Sequence, residues 1–135
     1  MKIAIAKESH VNERRVALTP DVVAKLVKQG LEIEVEAGAG ERAFFADKAY
    51  EDAGAKIVAD TAALWREADV LLKVGVLQDW EADQLREGSI LVGFLNPLGN
   101  PGLVRSLAEK KVTAFSMEMI QIGRASCRER VCHRV

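Results

Sequence analysis

Apolar positions fall along the chain in two alternating patterns, short continuous runs and runs with helical spacing, and their order predicts the fold. Residues 2–6 form a brief apolar run that ends in Lys7-Glu8. Over residues 21–29, Val22/Leu26 and Val23/Val27 pair at i,i+4. Thr19-Pro20-Asp21 ahead of them supplies an N-cap, a proline at the first helical position and an acid in the first turn, and Gly30 supplies a stop. Residues 31–36 alternate apolar and acidic side chains, which predicts a strand with one solvated face near a sheet edge, broken by Gly38-Ala39-Gly40. A short helix over 47–53 closed by Gly54, a short strand over 56–59 and a helix capped by Asp60-Thr61 and running to Ala68 follow. Residues 70–74 read as a central parallel strand interrupted only by Lys73, 79–86 as a helix, 89–95 as a second buried strand, 103–110 as a helix and 112–120 as a closing strand. Strands alternating with helices in this way predict an α/β fold. It is a single domain with a doubly wound, mostly parallel sheet, helices on both faces and right-handed crossovers, Rossmann-like or flavodoxin-like.

Composition agrees and excludes several classes. The chain has 135 residues, 49% of them hydrophobic, and a formal charge of -1, so one globular core is expected and no nucleic-acid signature is present. No apolar run approaches a membrane span, and the chain opens directly into the first strand-like run without a secretory h-region. A cytoplasmic location without disulfides is expected. The charge changes sign near residue 120: residues 1–120 hold 15 Lys/Arg against 19 Asp/Glu, and residues 121–135 hold 4 against 1. Cys127, Cys132 and His133 all lie in that tail, at a spacing that matches none of the common zinc signatures.

Candidate chemistry concentrates where strands end. Arg14 and Arg15 lie between the first strand and the first helix, at the end of the sheet where open α/β folds bind ligands. Either could hold a carboxylate, phosphate or carboxamide oxygen with its planar fork, or simply pair with Glu8 or Glu13 at the surface. Lys73 interrupts an apolar strand and must reach the strand's end or find a partner. Asn96 follows the strand over 89–95 and falls on the same sheet edge; on sequence alone an Asn-Pro turn is the preferred reading. Gly38-Ala39-Gly40-Glu41-Arg42-Ala43 matches a dinucleotide fingerprint in spelling, but Phe44-Phe45 sit where the phosphate-capping helix should run, and a plain strand-to-helix turn is preferred. His10 has no ligand or triad spacing, and Trp65 and Trp80 are expected to pack on their helices.

The residues then carry a resemblance. Lys7-Glu8, the segment from Asn12 to Pro20 with Arg-Val-Ala-Leu-Thr-Pro as its most specific part, Val35 to Gly40, Ala53-Gly54-Ala55, Leu72-Lys73-Val74 and Ala114 to Ile120 together resemble the amino-terminal domain shared by alanine dehydrogenase and the alpha subunit of proton-translocating NAD(P) transhydrogenase. The resemblance covers residues 1–120 and implies that NAD(H) binds a separate Rossmann domain further along the intact protein. Little or no tight binding to this chain alone is then expected. It also implies that Arg15 and Lys73 line a substrate- or nicotinamide-side cleft with Asn96. Alanine dehydrogenases carry a catalytic histidine where this chain has Asn96, and an amide cannot exchange a proton near neutral pH. That departure, with the Ser116 to Ile120 ending, favours the transhydrogenase branch.

On this resemblance the expected parent is a transhydrogenase alpha subunit passing a hydride between NAD(H) and NADP(H). Its implied partners are a beta subunit that carries NADP(H) and a membrane domain, and a second alpha subunit in a homodimer, at the cytoplasmic face of the inner membrane. No residue of the chain itself is expected to be catalytic. An alanine-dehydrogenase-like oxidoreductase and a non-catalytic binding or structural module are the alternatives. Residues 121–135 depart from the family pattern and resemble one reading frame of a sequencing adapter, so the expectation is an assembly artefact on a truncated gene. Long-read sequencing of the locus should return a gene that continues past Ile120 without this tail; a continuous gene encoding the same tail would refute it.

Overall fold

The structure, a computed structural model, describes residues 1–120. Strands β1 (Lys2–Ile5), β2 (Glu32–Glu36), β3 (Lys56–Val58), β4 (Val70–Leu72), β5 (Ile90–Gly93) and β6 (Thr113–Ser116) form one sheet in the order β3-β2-β1-β4-β5-β6. Every neighbouring pair is parallel, so the sheet is wholly rather than mostly so. The expected single doubly wound domain is therefore present. Order reverses between β1 and β4, the position at whose carboxyl edge doubly wound sheets bind ligands.

Strand alternation builds a core on each face. Ile3 and Ile5 of β1 point to one side with Ile33 and Val35 of β2, and helices α1 (Pro20–Lys28) and α2 (Asp47–Asp52) cover them with Val23 and Tyr50. Ala4 and Ala6 point to the other side with Leu71 and Leu91, under α3 (Thr61–Glu67), α4 (Asp79–Ala82) and α5 (Pro101–Glu109), which contribute Leu64, Trp65, Ala82, Leu103 and Leu107. Asp60 caps α3 by accepting from the N–H groups of Ala62 and Ala63, at 3.0 and 3.2 Å. Thr19 stands at the N-cap of α1 but its side chain makes no cap bond, so Pro20 sets the start alone. The Tyr50 hydroxyl donates to the Leu18 carbonyl at 2.9 Å and fixes the approach to that helix.

Several expectations need correction. β2 lies near the sheet edge as expected, next to the edge strand β3, but its acidic face is not solvated: Glu34 and Glu36 are only 4% and 9% exposed. Alternation alone suggested water, but both acids have protein partners. Glu34 meets Lys56 at 3.2 Å and Lys2 at 3.8 Å, while Glu36 accepts from the Lys7 N–H and the Thr61 hydroxyl, each at 2.7 Å. Trp65 packs as expected, whereas Trp80 is 54% exposed. The helix after Lys73 ends at Ala82, well short of Arg86, and the last strand stops at Ser116 and turns into a 3-10 segment over Met117–Met119. The readings made for residues 121–135 lie outside the described residues.

β4 and β5 approach so closely that a side chain at Gly93 would run into the Lys73 carbonyl oxygen. Gly93→Ala is therefore expected to cost about 1–3 kcal/mol, the usual range for forcing extra volume into packed structure, read as a lower urea midpoint.

Candidate functional site

At the carboxyl edge of a parallel sheet the last N–H groups of each strand have no next strand to donate to, which is what makes this edge attractive to anions. Here the chain's own acids meet many of them. Glu8, just beyond β1 and 4% exposed, accepts from the N–H of Val74 at 2.6 Å and of Gly75 at 2.9 Å, both just beyond β4. A Cβ at position 75 would lie 2.9 Å from the Glu8 carboxylate, so glycine permits the contact. Glu36 holds the Lys7 N–H, and Asp47 accepts from the Gly38 N–H with both oxygens, at 2.9 and 3.0 Å.

The three predicted site residues share this edge but not one pocket. Arg15 lies on the loop after β1, its guanidinium largely exposed, and forms a two-pronged bond with Glu13: Nε to Oε1 and Nη2 to Oε2, both 2.8 Å. It also lies 5.6 Å from the centre of the Phe94 ring. Of the surface partners considered, Glu13 takes Arg15, while Glu8 is committed to backbone. Asn96 follows β5 in a left-handed conformation, φ 46°, where asparagine is among the tolerated residues. Its N–H donates to the Glu118 carboxylate, and its carbonyl accepts from Gly99 and Asn100, the turn that Asn-Pro predicts.

Lys73 falls one residue past β4 and is 2% exposed. Its ammonium donates to Glu81 Oε1 at 2.5 Å and to Ser9 Oγ at 3.0 Å, and stands 5.8 Å from the Trp65 ring centre. The second Glu81 oxygen accepts from the Gln78 N–H at 2.8 Å. Lys73 thus found a partner rather than snorkelling, and its charge lies on the α3–α4 side of the sheet. Arg15 meets the Phe94 ring, and Phe94 lines an apolar cavity of about 290 Å3 together with Ala17, Leu18, Leu72, Val92 and Met117, which Lys73 also borders. Glu8 and Glu81 are the residues that sequence reasoning missed. Lys73 announced a missing anion, but nothing in spacing identifies which acid supplies it.

Charge effects follow this geometry. The bond from Arg15 holds the Glu13 carboxyl at about 2, with burial opposing it. Glu118 is lowered too: burial pushes it up, but its own N–H, the Ser116 hydroxyl and the N–H groups of Asn96 and Leu95 outweigh that. It is therefore a carboxylate near neutral pH, an acceptor without a proton to give.

A dinucleotide does not fit the described residues as its resident group. The first strand-to-helix turn, residues 6–19, contains no glycine. The Gly38-Ala39-Gly40 turn leads into a three-residue 3-10 segment, Glu41–Ala43, and its first N–H is held by Asp47. A Cβ at Gly40 would lie 2.6 Å from Tyr50 and 2.7 Å from the Phe45 carbonyl, so this glycine serves internal packing. Among the described residues no group of three or more His, Cys, Asp or Glu could hold a metal ion, and no helix is long and apolar enough to cross a membrane.

Comparison with known proteins gives a consistent set of likenesses. The profile for the alanine dehydrogenase/PNT N-terminal domain matches residues 4–129. NAD(P) transhydrogenase subunit alpha of Cereibacter sphaeroides is 40% identical over 126 residues, which are 93% of this chain and 24% of that protein. Alanine dehydrogenase of Bacillus subtilis is 40% identical over 124 residues, 92% of this chain and 32% of that protein. A solved transhydrogenase from Sinorhizobium meliloti superposes with a TM-score of 0.84 at 40% identity, covering 93% of this chain and 37% of that one. The chain thus spans about a quarter to a third of these curated relatives.

Two measurements check the site's electrostatics. Lys73→Met should cost about 3–5 kcal/mol in urea unfolding by stranding the buried Glu81 charge, and adding Glu81→Gln, which removes that charge but keeps an oxygen for the Gln78 N–H, should recover most of the loss. Because Glu13 titrates below its ordinary value of 4.5 in the folded chain, its contribution is complete above that value and fades as pH falls toward about 2. A carbon-13 NMR titration should find that low midpoint, and Arg15→Ala should return it toward the ordinary carboxylate range.

Proposed function

Since the chain belongs to the alanine dehydrogenase/PNT N-terminal domain family, we propose that it is the amino-terminal part of a transhydrogenase alpha subunit, which exchanges a hydride between NAD(H) and NADP(H). The observation that carries the choice of branch is Asn96. Its amide occupies the loop after β5, where the alanine dehydrogenase branch is expected to carry a proton-exchanging histidine, and the titratable neighbour it contacts, Glu118, is held as a carboxylate. Reductive amination needs a group that gives and takes a proton; hydride exchange between two nicotinamides does not.

On this reading NAD(H) supplies the hydride chemistry from a domain beyond the described residues, and these residues line one wall of its cleft. Arg15 is preorganised by Glu13 and stacked on Phe94, which presents a positive edge beside an apolar cavity and suits a carboxamide or carboxylate oxygen. Lys73 acts on that wall only through its neighbours, since Glu81 and Ser9 hold its ammonium on the other side of the sheet. The partners assigned are a beta subunit with NADP(H) and a membrane domain, and a second alpha subunit. The family profile runs to residue 129, so the artefact proposed for residues 121–135 is tested by the sequence of the locus.

Membranes carrying the full-length gene product with its beta-type partner should reduce an NAD analogue with NADPH and should not consume NADH with pyruvate and ammonium; the reverse pattern would assign the alanine dehydrogenase branch. The 135-residue chain alone should show no saturable NADH binding by calorimetry. Arg15-dependent binding would instead indicate a retained nucleotide site.

A further inference from the structure

The sheet has two outer strands, and the chain treats their open edges differently. At one edge β3 carries Lys56, whose side chain is largely exposed and bonds Glu34; a charge of that kind on an edge strand discourages another strand from pairing. At the other edge β6 reads Thr113-Ala114-Phe115-Ser116, with no charge and no proline, and its first three residues are exposed. Thr113 donates its N–H to the Ser89 carbonyl at 2.9 Å, so Thr113 and Phe115 turn their backbone groups toward β5. By alternation Ala114 and Ser116 turn theirs outward, and Ser116 is still extended, with φ -86° and ψ 106°. Phe115 is in register with Val92, which sets its ring on the face of the sheet that also carries Phe94; the two rings are 49% and 41% exposed. The edge thus offers outward main-chain donors and acceptors beside uncovered aromatic surface.

Charge identifies the partner. β6 begins just after Lys110-Lys111 and ends just before Glu118, so the edge is positive at its start and negative at its end, and Lys111 and Glu118 are both exposed. Two such edges running antiparallel bring each positive end to the other's negative end, whereas parallel edges would set like against like. A two-fold axis produces the antiparallel arrangement from two identical chains. We propose that β6 is a dimerisation edge, at which a second copy of this chain adds its own β6 antiparallel and joins the two six-stranded sheets into one. Ala114 of each copy exchanges N–H and carbonyl bonds with Ser116 of the other, and the two Phe115 rings meet across the axis. Pairing uses the β6 edge of both copies and leaves only the charged β3 edges, so assembly stops at two. It is a property of this edge and does not rest on the hydride-transfer reading.

Light scattering after gel filtration of the 135-residue chain tests this, with a thiol reductant present so that Cys127 and Cys132 cannot link copies. The mass should be twice the 14.8 kDa of one chain at high micromolar concentration and fall toward one chain on dilution. Amide hydrogen exchange at Ala114 and Ser116 should slow as concentration rises, with the amides of β3 unchanged. Ala114→Pro removes an outward donor without touching the bonds to β5, and should raise the dissociation constant at least about tenfold, the equivalent of one or two hydrogen bonds. Lys111→Glu, at an exposed position, should weaken pairing most at low salt by facing Glu118 with its own sign. Phe44→Ala, which removes a 92% exposed ring far from this edge in the sequence, should leave pairing within twofold. Circular dichroism should confirm that each variant is folded. A single-chain mass at every concentration, masses that grow past two chains, undiminished pairing in either Ala114→Pro or Lys111→Glu, or an equal loss in Phe44→Ala would each overturn the proposal.

Discussion

The arrangement depends on how the carboxyl edge of the sheet satisfies its own backbone. A parallel sheet leaves N–H groups pointing past the strand ends, and in ligand-binding relatives of this architecture a phosphate or carboxylate takes them. Here Glu8 takes those of Val74 and Gly75, Glu36 takes that of Lys7, and Asp47 takes that of Gly38. The Glu8 contact matters most because it binds the loop after β1 to the loop after β4, the two strands between which sheet order reverses. A doubly wound fold thus keeps its topology while filling the anion positions from within.

The consequence is a division of the edge into two halves. On the α3–α4 side Lys73 and Glu81 are paired and enclosed, with Ser9 completing the cluster beside Trp65. On the other side Arg15 stays open, held in shape by Glu13 and Phe94 but with its guanidinium largely exposed. A bidentate pair between exposed groups contributes little stability, so its effect is on geometry: it fixes the direction of a long side chain that would otherwise wander. An arginine fixed in this way can be turned to a ligand at low entropic cost.

Period and punctuation carried the fold. Helical spacing over Val22/Leu26 and Val23/Val27, Pro20 and Asp60 at helix starts, and the buried run at Val70 to Leu72 are local signals, and local signals determined element order and hence the doubly wound sheet. The errors came where partners distant in sequence decide. Glu34 and Glu36 alternate like solvent-facing residues, yet Lys56 and Lys2 shield the first, and Lys7 and Thr61 bind the second. Lys73 showed that an anion must be near, but its partner lies eight residues on, in a helix too short to announce its facing. Glu8 looked like a surface acid able to pair with an arginine because the β4 loop that buries it is more than sixty residues away.

Exposed apolar surface bears on what the open half of the edge is for. Phe94, Phe115, Met117, Met119 and Ile120 are all substantially exposed, and they follow or end the two strands, β5 and β6, nearest Asn96 and Glu118. Apolar groups gathered around a polar cluster mark a surface that works covered rather than bare. The chain spans a quarter to a third of its curated relatives, so length enough for a cover exists in proteins of this kind. Covering that side would lower the dielectric around Arg15 and strengthen its hold on any oxygen it meets, while the Lys73–Glu81 pair would change little, because it is already out of water. The same fold therefore carries an exposed charge beside apolar surface on the Arg15 side and an enclosed Lys73–Glu81 pair on the other.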